Sequence, residues 1–298
     1  MAQKNNGSMK KYIIIIPVYN DWRSVLKLID NIDLQINNQN VDILIINDAS
    51  TEAVDGTKRT YSKINSVKIL NLTNNIGHCQ GIATALQYCN TNLEFDYIIP
   101  MDGDGEDRPE ELNKFFDLAD SSSPEIITAN RIKRSEGNLF KACYAIHKFL
   151  TYAMIGKMVK FGNYSCLSKK AVEKILLNGS VWLSYSGSII KNFSSIASTD
   201  SIRGTRYFGP SKMNFAKLIL HSLNISAAFR ETIFIRSTLL VMFFSYAAHE
   251  TSNSYFLIPA MFSWAFMLFM FYLSRKDDIK KLNTSYLNIK NLTTFYSR

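Results

Sequence analysis

The sequence is short of several features that would each have named a protein class. It holds four cysteines in 298 residues (Cys79, Cys89, Cys143 and Cys166), with no CxxC pair and no zinc spacing. That excludes a disulfide scaffold and a zinc ribbon, and reduced, buried thiols in a cytosolic compartment are the expected state. No internal repeat or low-complexity tract is present. The opening MAQKNNGSMKK is polar, and the apolar run behind it is too short for a signal-peptide core and lacks a cleavage site, so no secretion signal is expected. Negative charge is scarce between Arg131 and Arg230. Sixteen Lys and Arg residues face only Glu136, Glu173 and Asp200 there, a local balance of +13 in a chain of net charge +9. Such a block calls for an anionic partner: phosphate, nucleic acid or an acidic membrane face. The lack of any recognisable nucleic-acid reading motif sets nucleic acid aside.

What is present is an alternation. With 47% hydrophobic and 20% charged residues the chain is a folding one. The runs YIIIIPV (12–18), VDILIIN (41–47), VKILNL (67–72), DYIIPM (96–101) and EIITAN (125–130) read as buried strands. Between them 21–32, 77–89 and 108–119 carry apolar residues at helical spacing. Alternating strands and helices predict a mostly parallel sheet covered by helices, with ligands beyond the carboxyl ends of the strands. Residues 139–161 are apolar but punctuated by Lys and His, the texture of a helix on a membrane surface, in a basic groove or in a buried pair.

Near the end, Tyr255–Leu273 runs 19 residues without a charge, enough to cross a hydrocarbon core of about 30 Å. Ser237–Ala248 is also apolar and reaches spanning length only with Arg236 buried or snorkelling. The connector HETSNS has no Lys or Arg, whereas Arg230, Arg236, Arg275, Lys276, Lys280 and Lys281 lie outside the pair. The positive-inside rule then predicts a hairpin with both ends cytoplasmic. The expected division is an α/β domain over 1–210, a juxtamembrane amphipathic segment over 211–231, two transmembrane helices within 232–275 (about 232–249 and 255–273) and a basic cytoplasmic tail over 276–298.

The fourth strand runs straight into MDGDGEDRPEEL. An EF-hand loop counted from Asp102 would need glycine at its sixth position and glutamate at its twelfth; Asp107 and Asn113 stand there, and Pro109 interrupts it. Asp102 and Asp104 instead have the spacing of two carboxylates aimed at one divalent ion. Mg²⁺ or Mn²⁺ held that way, with phosphates completing its shell, suits a nucleoside diphosphate. RPEE then opens the next helix with proline and acids at its favourable end.

Three motifs, IIIPVYND, IINDAST and MDGDGEDRPE, resemble the nucleotide-binding half of family 2 inverting glycosyltransferases. The closer resemblance is to the polyprenyl-phosphate sugar transferases, the group that includes dolichol-phosphate mannose synthase. NIGHCQGIATAL, RIKRSEGNLF, FGNYSCLSKKAV and RYFGPSKMNF extend it over most of residues 11–230. The resemblance implies an α/β GT-A domain followed by a C-terminal transmembrane hairpin. It implies that Pro17 and Tyr19 cradle the nucleotide, with Asp21 where glutamate is usual, that Asp48 contacts the nucleoside, and that Gly77 belongs to the nucleotide-sugar set. Asn47 and Ala49 depart from the pattern and leave base preference open, with a UDP-sugar favoured. Asp102 and Asp104 match the metal and diphosphate acids, and Glu106 is the candidate third ligand. Arg131 and Arg134 match arginines near the sugar and phosphates. Arg206, Ser211 and Lys212 match the clamp on diphosphate or lipid phosphate. Asn163 and Ser165 replace an Asp and an Arg of the dolichol-type pattern. Plainer readings stand beside these: Tyr19 as a core aromatic, Asp48 as a turn cap, Arg131 and Arg134 as surface charges, Ser211 as a helix cap. His78 reads as a helix cap or backbone partner in preference to a catalytic group.

A sugar hydroxyl acceptor needs a general base, for which Glu136 is the leading candidate; a phosphate acceptor is already anionic near neutral pH. A carboxylate-poor, cation-rich half suits the phosphate. The expected activity is metal-dependent transfer of sugar from a nucleotide-diphosphate sugar to a polyprenyl (undecaprenyl-type) phosphate, by a multi-pass protein of the cytoplasmic membrane with its catalytic domain on the cytoplasmic face. A sugar-hydroxyl acceptor in polysaccharide or glycolipid assembly is the enzymatic alternative, and a nucleotide-sugar-binding membrane scaffold the non-enzymatic one. Self-association is left open.

Overall fold

Four consecutive isoleucines, Ile13–Ile16, lie in strand β1 (Lys11–Val18), and all four are buried. Strand side chains alternate between faces, so this run needs cover on both sides. Tyr12, Ile14 and Ile16 join one core with Leu28, Ile32, Phe115 and Phe116. Ile13 and Ile15 join the other with Ile82, Leu86 and Val172. The computed structural model describes residues 9–37, 39–133, 151–210 and 215–298.

The sheet has eight strands. Besides β1 these are β2 (Asn40–Asn47), β3 (Ile64–Leu72), β4 (Tyr97–Pro100), β5 (Ile126–Lys133), β6 (Ser165–Ser168), β7 (Ala197–Ile202) and β8 (Ile289–Ser297). Their order is β7-β5-β6-β4-β1-β2-β3-β8. The centre, β4-β1-β2-β3, is parallel throughout, and β5 and β7 also pair in parallel. β6 runs antiparallel to both of its neighbours, and so does β8 to β3. This is the expected mostly parallel α/β sheet. Helices α1 (Trp22–Gln35) and α3 (Leu112–Ser122) cover one face; α2 (His78–Asn92) and α4 (Lys169–Leu176) cover the other. Short helices α5 (Ser180–Leu183) and α6 (Tyr185–Asn192) follow on the α2 side. The five strands expected from the sequence are all present; β6, β7 and β8 are additions to them.

After α7 (Phe215–Ala227), α8 (Arg230–Thr251) and α9 (Leu257–Ser274) form a helical pair. Both are long and apolar enough to cross a membrane, and only 11% and 17% of their most apolar windows are buried in the protein. Their roots are anchored: Ile233, Met270 and Leu273 are buried with Ile155, Leu183 and Phe229. Arg236, the charge that interrupts the first apolar run, donates to the carbonyls of Tyr152 and Ala153 where residues 151–155 end their helical turn. A cation there complements the helix dipole and adds to the Gly156 N–H that the Tyr152 carbonyl already accepts. Gly156 turns the chain at φ +72°, and a Cβ on it would lie 2.8 Å from the Arg236 guanidinium. Of the expected helix over 139–161, residues up to 150 lie outside the described residues, and 156–161 are not helical, the helix ending at 155.

The segment expected as a basic tail, 276–298, returns to the eight-stranded sheet. Helix α10 (Ile279–Asn283) buries Leu282 in the α2-side core, and Gly179 leaves room for the backbone of Asp278 and Ile279. β8 then pairs with β3 from Ile289 opposite Leu72 to Ser297 opposite Ser66. Residues outside 1–210 therefore complete the first domain's sheet. The described cysteines are free thiols, with Cys89 and Cys166 buried and Cys79 partly so; Cys143 lies outside the described residues.

Candidate active site

β1, β2, β3 and β4 end on the same side of the sheet, and the sequence places polar loops at each end. After β4 the chain makes the turn Asp102–Asp107. Asp104 Oδ1 accepts the Glu106 N–H at 2.9 Å, and Asp107 Oδ2 accepts the Asp102 N–H at 3.0 Å. These two bonds close the turn on itself and hold the carboxylates in place. Gly103 is needed because a Cβ would lie 2.7 Å from Val25 Cγ2; Gly105, at φ +89°, because a Cβ would lie 2.6 Å from the Tyr207 ring.

That ring belongs to a strap over the turn. Gly204 N–H donates to the Glu106 carbonyl at 2.8 Å, and Tyr207 N–H to the Asp104 carbonyl at 2.9 Å. The strap brings in two arginines. Arg206 Nη1 is 2.5 Å from Asp104 Oδ2, and its Nη2 is 3.4 Å from Asp21 Oδ2. Arg203 pairs with Glu106. Arg206 Nε is buried and has no hydrogen-bond partner among the described residues. An orphan buried guanidinium N–H is a costly feature that an anionic ligand would satisfy.

On the other side of the turn, Asp102 Oδ1 lies 3.2 Å from His78 Nε2 and accepts from Asn163 Nδ2 at 3.3 Å; Asn163 also contacts His78 Nε2 at 2.7 Å. Burial pushes Asp102 up, but the hydrogen bond and charge of His78, with Arg131 and Asn163, outweigh it and hold the carboxyl below the usual range. Burial pushes His78 down, and its bond to Asp102 and the charges of Asp102, Asp107 and Asp104 more than reverse that, raising it. His78 is the first residue of α2, yet its ring serves the acidic turn and not the helix end, which corrects the capping expectation. Asp107 is buried and raised, by burial first and then by the charge of Asp102, with Arg131 Nη2 3.7 Å away. Arg131 thus faces the turn from β5 and is no free surface charge; Gly162 leaves the room its guanidinium fills. Burial lowers the pKa of His221 on α7, and the charges of His78 and Arg131 add to that against the opposite pull of Asp102.

Asp48, 5% exposed, follows β2 and accepts the N–H groups of Ile76 and Gly77 at 2.8 and 2.9 Å, one on each oxygen. It joins the β2 loop to the start of α2, where Gly77 has φ +93°. Burial raises its pKa against the two hydrogen bonds. Both oxygens being taken by backbone, the turn-tying role is the one seen. Pro17 lies in β1 with its carbonyl beside Gly103, and Asp21 also accepts from Ser24 Oγ at 2.6 Å. Tyr19 is 46% exposed, so it is no core aromatic.

The structure therefore gathers Asp21, Asp102, Asp104, Arg131 and Arg206 around one turn, turns Glu106 to Arg203, and sets Asp48 and Gly77 beside it at the β2 end. Arg134, Glu136, Ser211 and Lys212 lie outside the described residues. His78, Asn163, Arg203 and Tyr207 complete the site without having been singled out for it. Among the described residues no three His, Cys, Asp or Glu side chains are grouped to hold a metal ion. Two carboxylates are nonetheless the donor set a hard cation takes when phosphates and water supply the remainder.

Residues 13–168, just over half of the chain, match the model of Glycosyl transferase family 2. An uncharacterized glycosyltransferase of Bacillus subtilis, YkcC, is 27% identical over 134 residues, which are 44% of this chain and 40% of that protein's length. Among solved structures, glucosyl-3-phosphoglycerate synthase of Mycobacterium tuberculosis, in complex with Mn²⁺, UDP-glucose and phosphoglyceric acid, superposes with a TM-score of 0.54 at 12% identity, covering 75% of this chain and 79% of that one. Its complex with Mn²⁺, UDP and glucosyl-3-phosphoglycerate gives 0.53 at the same identity, over 75% and 80%. At that identity the likeness speaks for the GT-A fold, while the family match reaches from β1 to β6 and includes the acidic turn. The chain spans 40% of the length of that curated relative, and it belongs to glycosyl transferase family 2.

Proposed function

We propose that this glycosyltransferase is anchored in the cytoplasmic membrane by α8 and α9 and transfers a sugar from a nucleotide-diphosphate sugar to a polyprenyl phosphate on the cytoplasmic face. The observation that carries the reading is the route of the chain. It leaves the catalytic domain through two exposed apolar helices and rejoins the same sheet as β8. An even number of crossings is what that return requires.

Asp102 and Asp104 are the residues that would hold Mg²⁺ or Mn²⁺, which supplies charge neutralisation to the departing diphosphate. The relatives in the M. tuberculosis complexes hold Mn²⁺ and UDP or UDP-glucose, which supports this donor class. Arg206 would exchange part of its pairing with Asp104 for phosphate oxygens, using the Nε–H that has no partner among the described residues. Arg131 would add positive charge from β5, and His78 with Asn163 would hold Asp102 in orientation. Asp48 would keep the β2 loop and the α2 N-terminus in place around the nucleoside. The acceptor phosphate oxygen, already anionic, would attack the anomeric carbon as the diphosphate leaves, without a general base. The test is sugar incorporation into the lipid fraction with undecaprenyl phosphate as acceptor. Failure with every nucleotide sugar despite tight nucleotide binding would end the lipid reading.

A second reading has a hydroxyl acceptor, for which His78 is a described base, its imidazole held by Asp102. Turnover on a soluble sugar acceptor, lost in His78→Gln, would favour it.

A further inference from the structure

The carboxyl ends of β2 and β3 enclose a cleft of about 440 Å³, and its outer wall is the start of β8, through Lys290 and Asn291. A wall supplied from beyond the membrane hairpin is outside the stretch that matches the family, which ends at 168. The cleft's polar groups are not independent. Ser50 N–H donates to Asn47 Oδ1 at 2.9 Å, Asn47 Nδ2 to Asn71 Oδ1 at 2.8 Å, and Asn71 Nδ2 to Asn291 Oδ1 at 2.8 Å. A backbone N–H can only donate, so it fixes the orientation of Asn47, then of Asn71, then of Asn291. The relay ends with the Asn291 amide N–H groups at the β8 rim. The neighbouring Lys290 ammonium is also donor-only. The β8 rim therefore carries the Asn291 amide donors, whose orientation is dictated from the β2 turn, beside Lys290, which is a donor in any orientation.

Position adds the second constraint. The β2–β3 gap lies two to three strands from β4, roughly 12 Å at the usual strand spacing. That separation is what a nucleoside diphosphate spans when its phosphates sit at Asp102 and Asp104. We propose that Lys290 and Asn291 are specificity-determining residues that read the donor's nucleobase, selecting one whose edge carries carbonyl oxygens over adenine. The inference rests on the nucleotide-sugar reading above and adds to it a base-reading role for the strand that returns from the hairpin.

The test uses the full chain in detergent with Mn²⁺, titrated calorimetrically with UDP, GDP, ADP and pyrophosphate. Wild type is expected to bind UDP or GDP more tightly than ADP. Lys290→Ala and Asn291→Asp, the latter keeping the acceptor for Asn71 while replacing the outer donor, are each expected to weaken the preferred nucleotide about tenfold and leave ADP and pyrophosphate unchanged, as befits one lost hydrogen bond. Unchanged affinity for the preferred nucleotide in both variants overturns the inference while leaving the donor site intact. So does an equal loss for all four ligands, which would mark a structural role of the β3–β8 joint, and so does tightest binding of ADP by wild type. If wild type binds no nucleoside diphosphate, the nucleotide-sugar reading itself fails.

Discussion

Arg206 Nη1 lies 2.5 Å from Asp104 Oδ2, across 102 residues of sequence, while the same guanidinium keeps a buried Nε unpartnered among the described residues. The pair holds the strap on the acidic turn in a form that an anionic ligand can reorganise. Removing one member separates binding from folding.

Arg206→Ala is expected to weaken nucleoside diphosphate binding by about 10- to 100-fold, the effect of losing one charge-assisted contact. Titration calorimetry with UDP and Mn²⁺ measures it, and an unchanged affinity would remove Arg206 from the phosphate site. Asp104→Asn keeps an oxygen for the Glu106 N–H, so its melting temperature should stay close to wild type while metal-dependent turnover is lost. A variant that kept turnover would instead favour a scaffold.

Gly105→Ala should destabilise the domain by about 1–3 kcal/mol, because it combines positive φ with a clash against Tyr207. Tyr207→Ala in the same chain removes the clash and not the backbone strain, so the double variant should recover part of the loss. Denaturant midpoints decide it: additive losses in the double variant would show that the ring is not the obstacle.

Asp33 gives a pH dependence with a definite sign. From α1 it accepts the N–H groups of Ser62, Lys63 and Ile64 at 2.8, 2.7 and 3.0 Å and the Ser62 hydroxyl at 3.0 Å. Burial pushes its carboxyl up, but these four bonds outweigh that and hold it below the usual range. The unfolded chain then binds the proton more readily. The stabilisation is fully present above the ordinary carboxylate pKa of about 3.9 and is lost as pH falls through the folded value. Asp33→Ala should cost about 1–3 kcal/mol at pH 7 and flatten the fall in melting temperature between about pH 5 and 3. A slope equal to wild type would show that other carboxylates govern the acid limb.

The route of the chain predicts sidedness. An epitope inserted between Ser252 and Asn253 should be reached by antibody on intact spheroplasts, and one after Arg298 only once the membrane is permeabilised. Equal exposure of the two would exclude a spanning hairpin.

Much of the fold was legible because its centre is written locally. Ile13–Ile16 have no polar residue to spare for solvent, so β1 had to be covered on both faces, and the same reasoning found β2 to β5. The acidic turn was legible from the spacing of Asp102 and Asp104 behind a strand. β6 and β7 were not, because SCLS and ASTDSI hold no apolar run, and β8 was hidden in IKNLTTFYS, an edge strand exposed along most of its length. Nothing in such a segment says which distant edge it will pair with. His78 was misread for the same reason: its position at a helix start is local information, and its partner Asp102 is 24 residues away, on another loop.

By itself, then, the sequence determined the alternating core, the acid pair at the end of β4 and the two apolar runs, since each depends on spacing within one segment. Tertiary structure alone decided that Arg203 and Arg206 strap the acidic turn, that Asp48 ties the β2 loop to α2, and that the chain beyond the hairpin walls the cleft with Lys290 and Asn291. Those are contacts between segments far apart in the chain, and their geometry exists only once the sheet has set the order of its strands.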